Sequence, residues 1–202
     1  MDGVARFAAE VSSNPLISGG SGSEEHPTQA MLDLYTIASE KSKIDGLKIG
    51  IIGDLKYGRT VYSLLYGLAN YSSKVLLTSP PQLKLRNEVQ LDLGDRLEMS
   101  EVESLEDIVS EVDVMYVTRI QRERFPDSAE YESVKGSYAI DLKLLENAKD
   151  DLIILHPLPR INEIKTEVDE TSYAKYFIQA NKGKSLRAAL LSLILNEDAP
   201  LS

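Results

Sequence analysis

The chain has 202 residues, 43% of them apolar, enough to bury one substantial core and part of a second. Its 32 acidic side chains outnumber 22 basic ones, and the formal charge of −10 argues against a general binder of nucleic acid or anionic membrane, so any anion site has to be built locally. No cysteine is present, which excludes disulfides, thiolate metal sites and a cysteine nucleophile.

Met1 to Glu10 carries Asp2, Arg6 and Glu10 instead of an apolar run behind a basic start, and no window reaches the roughly 18 apolar residues of a spanning helix, so a soluble cytoplasmic protein is expected. Val4 to Val11 is apolar-patterned, and the small-residue stretch Ser18 to Ser23 is too short for an interdomain linker and reads as a turn-forming or functional loop. From Pro27 to about Lys41 the residues Ala30, Met31, Leu34, Tyr35 and Ile37 recur at helical spacing, and Pro27 suits a first turn, which puts His26 at a helix mouth. Leu47 to Gly53 is a continuous apolar strand, followed by the loop to Gly58 and a helical pattern from about Arg59 to Asn70. The alternation repeats: a strand over Lys74 to Thr78, a helix over about Pro81 to Leu93, a short strand over Arg96 to Met99, and a helical unit over Ser104 to Val112 with Ser104 and Asp107 as its cap pair. Asp113 to Thr118 reads as a strand, Asp141 to Ala148 as a helix, and Leu152 to Leu155 as a strand running into His156-Pro157. A final helix spans about Tyr173 to Asn196, with a strongly apolar second half from Leu186 to Leu195. Strands alternating with helices of this length predict an α/β fold: a doubly wound, mostly parallel sheet with helices on both faces.

In such folds ligands sit outside the carboxyl ends of the strands, near the topological switch point, which singles out the loops Gly53 to Thr60, Thr118 to Arg124 and His156 to Arg160. All three contain arginine. Arg59, Arg119, Gln121, Arg122, Arg124 and Arg160 therefore gather at strand ends of an acidic protein, where guanidinium forks match carboxylates and phosphates in pairs. The competing explanation is surface ion pairing with Glu123, Glu130 or Glu163. The Gly53-Asp-Leu-Lys-Tyr-Gly58 loop matches neither the dinucleotide G-x-G-x-x-G pattern nor the P-loop, and Asp54 and Leu55 would obstruct a pyrophosphate, so an unrelated nucleotide-binding domain is disfavoured. What the loop offers is a helix N-terminus with Arg59 in the first turn, suited to a small anion. The chain's two histidines each precede proline, in His26-Pro-Thr-Gln29 and His156-Pro-Leu-Pro-Arg160, with no spacing for a metal site. Pro157 and Pro159 force an extended loop with few amide donors, whose carbonyls could accept from a substrate amine.

Four stretches, His26-Pro-Thr-Gln-Ala-Met-Leu-Asp-Leu-Tyr-Thr-Ile37, Gly53-Asp-Leu-Lys-Tyr-Gly-Arg-Thr-Val61, Thr118-Arg-Ile-Gln-Arg-Glu-Arg124 and His156-Pro-Leu-Pro-Arg-Ile-Asn-Glu-Ile164, resemble in order and spacing the motifs of the aspartate carbamoyltransferase family. The likeness covers nearly the whole chain, whereas the Ser-Met-Gly and His-Cys-Leu-Pro elements usual in ornithine carbamoyltransferases are lacking. The resemblance implies transfer of the carbamoyl group of carbamoyl phosphate to L-aspartate in pyrimidine synthesis, with no cofactor or metal. On this likeness Arg59 and Arg119 would clamp the two carboxylates of aspartate, with Gln121 and Leu158 as further contacts. His26 and Gln29 would hold carbamoyl phosphate together with Pro157 and Leu158. Arg59 and His26 would be the catalytic pair, His26 donating toward the carbonyl oxygen as it gains charge. The Leu158-Pro159 bond would be cis.

The likeness also implies a layout. Residues 1–40 would be a remnant of the carbamoyl phosphate domain with its connecting helix, 41–171 the aspartate-binding domain, and 172–202 a C-terminal helix that packs back on the carbamoyl phosphate domain. The roughly one hundred residues that open the family, with their Ser-x-Arg-Thr phosphate motif, have no counterpart here. Without them, Leu186 to Leu195 should present an exposed apolar surface, and a homotrimer, a partner supplying the missing domain, or a regulatory chain is implied. Glu24 and Glu25 stand beside His26 where relatives commonly carry uncharged residues, which should weaken phosphate binding, and Tyr62 replaces a frequent histidine. The alternative is a non-catalytic aspartate-binding or regulatory descendant of the enzyme.

Overall fold

The computed structural model describes residues 3–22, 25–120, 122, 125, 127–134 and 138–195. Among them a five-stranded, wholly parallel sheet runs in the order β3-β2-β1-β4-β5, from β1 (Lys48–Ile52), β2 (Lys74–Thr78), β3 (Glu98–Glu101), β4 (Val114–Val117) and β5 (Ile153–Leu155). The helices are α1 (Val4–Val11), α2 (Pro27–Lys41), α3 (Arg59–Leu68), α4 (Asn87–Leu93), α5 (Leu105–Val109), α6 (Ser128–Val134), α7 (Leu142–Leu145) and α8 (Tyr176–Leu195). The period-2 geometry of the central strands splits their side chains between two cores. Ile49, Ile51, Val114 and Tyr116 pack in one with Ile37 of α2 and Val61, Leu64, Leu65 and Leu68 of α3. Ile52, Met115 and Val117 pack in the other with Ile108 and Val109 of α5 and with Leu144, Leu145 and Tyr176. Strands covered on both faces have no need of a polar side, and β4 is buried at every position. The doubly wound architecture expected from the alternation of elements is therefore present.

Strand order reverses between β1 and β4, so their carboxyl ends part to leave a crevice. The registration of Ile52 beside Val117 brings Gly53 against Thr118. A Cβ on Gly53 would lie 2.3 Å from the Thr118 carbonyl oxygen, and its φ of 111° is open to glycine. Gly53→Ala is expected to lower stability by about 2 kcal/mol, measured as a lower urea midpoint at unchanged slope.

Two expectations need correction, and one short helix was not expected. Pro81 to Leu93 is not one helix: a 3-10 turn spans Pro81–Leu83, Lys84 and Arg86 are extended, and helix resumes only at Asn87. The extended stretch lets Leu83 and Leu85 both reach the core, and the Leu83 carbonyl accepts from the Leu55 amide at 3.0 Å, tying this segment to the loop after β1. The strand expected over Arg96 to Met99 starts two residues later, because Gly94–Arg96 closes a 3-10 turn. The short helix α6 carries no periodic apolar signature long enough to announce it. The Ser104 cap acts as read, its side chain accepting from the Asp107 amide, and Asp141 likewise accepts from the Leu144 amide at the start of α7.

Both ends of the described chain expose apolar surface. No residue of α1 is buried, with Phe7 65% and Val11 69% exposed. Leu191, Leu193, Ile194 and Leu195 are likewise exposed on the apolar half of α8, as the sequence implied.

Candidate functional site

A cavity of about 420 Å³ opens at the switch point. The loop after β1 supplies Asp54, Tyr57, Gly58, Arg59 and Thr60, the loop after β4 supplies Thr118 and Arg119, and the loop after β5 supplies His156 to Pro159. His26 and Gln29, at the start of α2, close the remaining side with Gly22. Of the site residues read from sequence, His26, Gln29, Arg59, Arg119, Pro157 and Leu158 therefore share one cavity, while Gln121 and Arg124 lie outside the described residues.

Arg59 opens α3, and the Gly58 ahead of it permits a close approach: a Cβ there would stand 2.4 Å from the Asp54 carbonyl oxygen. Asp54 is buried and its carboxylate turns back on its own loop, accepting from the Lys56 and Tyr57 amides at 3.1 and 2.9 Å. The acidic residue that argued against a pyrophosphate is thus a loop cap. Thr118 joins the two loops by donating to the Ile52 carbonyl and accepting from the Asp54 amide. Tyr62 anchors the far side of the loop through a hydrogen bond to the Lys56 carbonyl, which also accepts from Arg86 Nε at 2.9 Å. Burial pushes the Tyr62 hydroxyl up to about 12, so it remains a neutral donor. The stretch from Gly20 to Gly22 leans on Arg59, whose guanidinium donates to the Gly22 carbonyl at 3.3 Å and lies where a Cβ on Gly20 would fall, 3.0 Å from Cζ.

His26 caps α2 with its backbone: its amide donates to Ser63 Oγ, and its carbonyl accepts from Gln29 and Ala30. Its Nδ1 is buried without a protein partner. Burial, and then the positive charges of Arg59 and Arg187, hold the imidazole pKa below its ordinary value, leaving a neutral ring at pH 7. Glu25 does not face this cavity. It is exposed and lines a separate hollow with Arg6, Tyr62, Tyr66 and Arg86, while Glu24 lies outside the described residues. The proposed penalty on phosphate binding therefore finds no support at Glu25.

Behind Gln29, Asp33 is fully buried. Its Oδ1 accepts from Gln29 Nε2 at 2.7 Å and from Gln179 Nε2 at 2.6 Å, and its Oδ2 accepts from the Tyr116 hydroxyl at 2.8 Å. Burial raises the Asp33 pKa to about 7 against the opposing pull of these donors and of Arg187. Sequence reading passed over Asp33 and Gln179. The spacing of Asp33 four residues after Gln29 was the available signal, whereas nothing in the linear chain joins either to Gln179.

His156 and Arg160 are structural. His156 is 2% exposed, and its Nδ1 accepts from the Leu158 amide at 2.8 Å, so the ring proton sits on Nε2 and bonds Glu163 at 2.9 Å. Burial works to raise the Glu163 carboxyl, but the hydrogen bond from His156 and those from backbone amides outweigh it and hold the group below its ordinary range. Leu158, caught between these bonds, has a φ of 54°, and the Leu158-Pro159 peptide is cis as the resemblance implied. Arg160 makes two parallel bonds of 2.5 Å to Asp169 and stacks over Tyr176, so it follows the ion-pairing reading, with Asp169 as its partner in place of Glu123, Glu130 or Glu163. Arg122 is exposed and does not line the cavity.

Residues 45–194 match the family model of the Asp/Orn-binding domain of aspartate/ornithine carbamoyltransferase. The chain belongs to the aspartate/ornithine carbamoyltransferase family. Among relatives it is similar to the aspartate carbamoyltransferase catalytic subunit of Nitrosopumilus maritimus, 62% identical over 98% of this chain and 64% of that protein. Its fold overlays the catalytic subunit of aspartate transcarbamoylase from M. jannaschii with a TM-score of 0.89 at 47% identity, covering 99% of this chain and 66% of that one. The enzyme from Trypanosoma cruzi in complex with N-(phosphonacetyl)-L-aspartic acid gives a TM-score of 0.83 at 38% identity, over 92% of this chain and 59% of that one. The chain thus spans somewhat less than two thirds of the length of these relatives. No helix among the described residues is long and apolar enough to cross a membrane.

Proposed function

We propose that the chain forms the aspartate-facing part of an aspartate carbamoyltransferase, which converts carbamoyl phosphate and L-aspartate to N-carbamoyl-L-aspartate and phosphate in cytoplasmic pyrimidine synthesis. The observation that carries this reading is the convergence of Arg59, Arg119, Leu158, His26 and Gln29 on one cavity from three strand ends and one helix mouth. The relatives' names and the T. cruzi complex with a phosphonacetyl aspartate support the choice of aspartate.

In this reading Arg59 and Arg119 take the two carboxylates, aided by Gln121, and the backbone carbonyls at Pro157 and Leu158 orient the amine. The amine nitrogen attacks the carbamoyl carbon, the new C–N bond forms as the C–O bond to phosphate breaks, and the nitrogen's surplus proton leaves with phosphate or to solvent. His26, kept neutral, carries one N–H to offer the carbonyl oxygen, and Gln29 holds the carbamoyl amide. No covalent bond to the protein is required; orientation and preorganised donors supply the acceleration.

The division into residues 1–40, 41–171 and 172–202 belongs to the same proposal, with the exposed apolar faces of α1 and α8 covered by the region of the relatives that this chain does not span. A homotrimer of such assembled units, with or without a regulatory chain, is the quaternary state that the reading entails. The test is a carbamoyl-aspartate assay on this chain alone and mixed with the corresponding N-terminal region of a relative. Product is expected only from the mixture, and a mixture that stays inactive while the two parts associate would sink the reading.

A further inference from the structure

We propose that Asp33 and Gln179 are positioning residues that hold the Gln29 amide and the Leu158 loop in one hydrogen-bonded unit across the cavity, a role that rests on the carbamoyl-transfer reading. The chain of bonds is continuous. Gln29 and Gln179 both give an amide N–H to Asp33 Oδ1, at 2.7 and 2.6 Å. Gln179 Oε1 accepts from the His156 amide at 2.9 Å, and the His156 ring accepts from the Leu158 amide at 2.8 Å. Every amide orientation along this path is decided by its neighbours. An acceptor facing two glutamines fixes the nitrogen of each toward itself. Gln29 is therefore left with Oε1 as the acceptor for an N–H donor in the cavity it lines, which is the polarity a carbamoyl NH2 group requires.

The position of Gln179 explains why the unit spans the site. It lies on α8, of which the buried residues are Tyr176, Gln179 and Gly183, so the polar Gln179 sits at the heart of the contact between α8 and α2. An apolar side chain would fill that contact at lower desolvation cost. What the amide adds is a fixed relation between the helix that carries Gln29 and the loop that carries Leu158. Tyr116 extends the relation to β4 through its bond to Asp33 Oδ2.

The experiment is Gln179→Met in the full chain mixed with the N-terminal region of a relative, since methionine keeps the volume and removes both bonds. Binding of N-(phosphonacetyl)-L-aspartate is measured by calorimetry, and the Gln29 side-chain amide and Leu158 backbone amide are followed by NMR. The expected result is at least tenfold weaker binding with both resonances displaced and the unfolding transition retained. Asp33→Asn, whose amide oxygen can still accept from both glutamines and whose nitrogen can face the Tyr116 oxygen, is expected to bind within threefold of the parent. Parent-like binding by Gln179→Met overturns the role. If Gln179→Met does not fold, Gln179→Glu at pH 8 replaces it, with two carboxylates now opposed, and the same tenfold loss or its absence decides. A parent mixture that binds no phosphonacetyl aspartate overturns the carbamoyl-transfer reading itself, and this role with it.

Discussion

Arg119→Ala and Arg59→Ala are each expected to weaken succinate binding to this chain by about 30-fold to 1,000-fold, read by calorimetry at low ionic strength. The figure follows from losing one charge-assisted fork to a carboxylate in a partly desolvated site, about 2–4 kcal/mol, at 1.4 kcal/mol per factor of ten. The residues line the same cavity from different strands, Arg59 after β1 and Arg119 after β4, and the proposed clamp would set one guanidinium at each end of a four-carbon diacid. Arg59→Lys and Arg119→Lys separate geometry from charge. A point charge attracts the diacid but cannot form two parallel bonds, so Arg119→Lys should recover only part of the affinity. Succinate binding by Arg59→Ala or Arg119→Ala that equals the parent's would remove the dicarboxylate clamp. Binding reduced equally by Arg122→Ala would show a diffuse field instead of a site, because Arg122 is exposed and does not line the cavity.

The same arginines show how far the linear chain could be read. Arg59, Arg119, Arg122 and Arg160 all stood in loops after strands, and position alone could not say which guanidinium would meet a ligand. Tertiary structure takes Arg160 away from the cavity: Asp169, nine residues beyond it, closes a bidentate pair with it, and that pairing depends on the 3-10 turn Thr166–Glu170 and on Tyr176 at the start of α8. The fold itself was legible because parallel strands buried on both faces leave uninterrupted apolar runs such as Ile49 to Ile52, and because Pro27 and Ser104 mark helix starts locally. The segment from Pro81 to Leu93 was misread because its leucines fit a helical period as well as they fit two buried residues in an extended stretch; only the contact with Leu55 favours the latter. His156 shares the His-Pro setting of His26, which left its role open, yet its Nδ1 is taken by the backbone of its own loop, a bond between residues two apart that no side-chain pattern encodes.

Asp33→Asn is expected to make the protein more stable than the parent at pH 8.5 by an amount that shrinks steadily as the pH falls to 4.5. The Asp33 carboxyl titrates near 3.8 in an unfolded chain, and burial lifts it to about 7 in the fold. Between those values the folded state holds a proton that the unfolded state has released, so stability falls as pH rises through the window and the loss is complete above about pH 7. A shift of about three units corresponds to roughly 4 kcal/mol, an upper figure for the gain that the substitution can show. Asparagine cannot ionise and still offers an oxygen to Gln29 and Gln179, so its own stability should lack this slope. His26 has the opposite sign: its lowered pKa means that stability declines as pH falls below about 6.5, where the unfolded imidazole takes up a proton first. That contribution, and those of the paired carboxylates Glu163 and Asp169, are common to both proteins and cancel in the difference. Urea unfolding of the two proteins at pH 4.5, 6, 7 and 8.5 therefore isolates one buried group. A difference that is flat across the four pH values would mean that Asp33 is ionised in the fold throughout, held by Tyr116, Gln29, Gln179 and Arg187 against the pull of its burial.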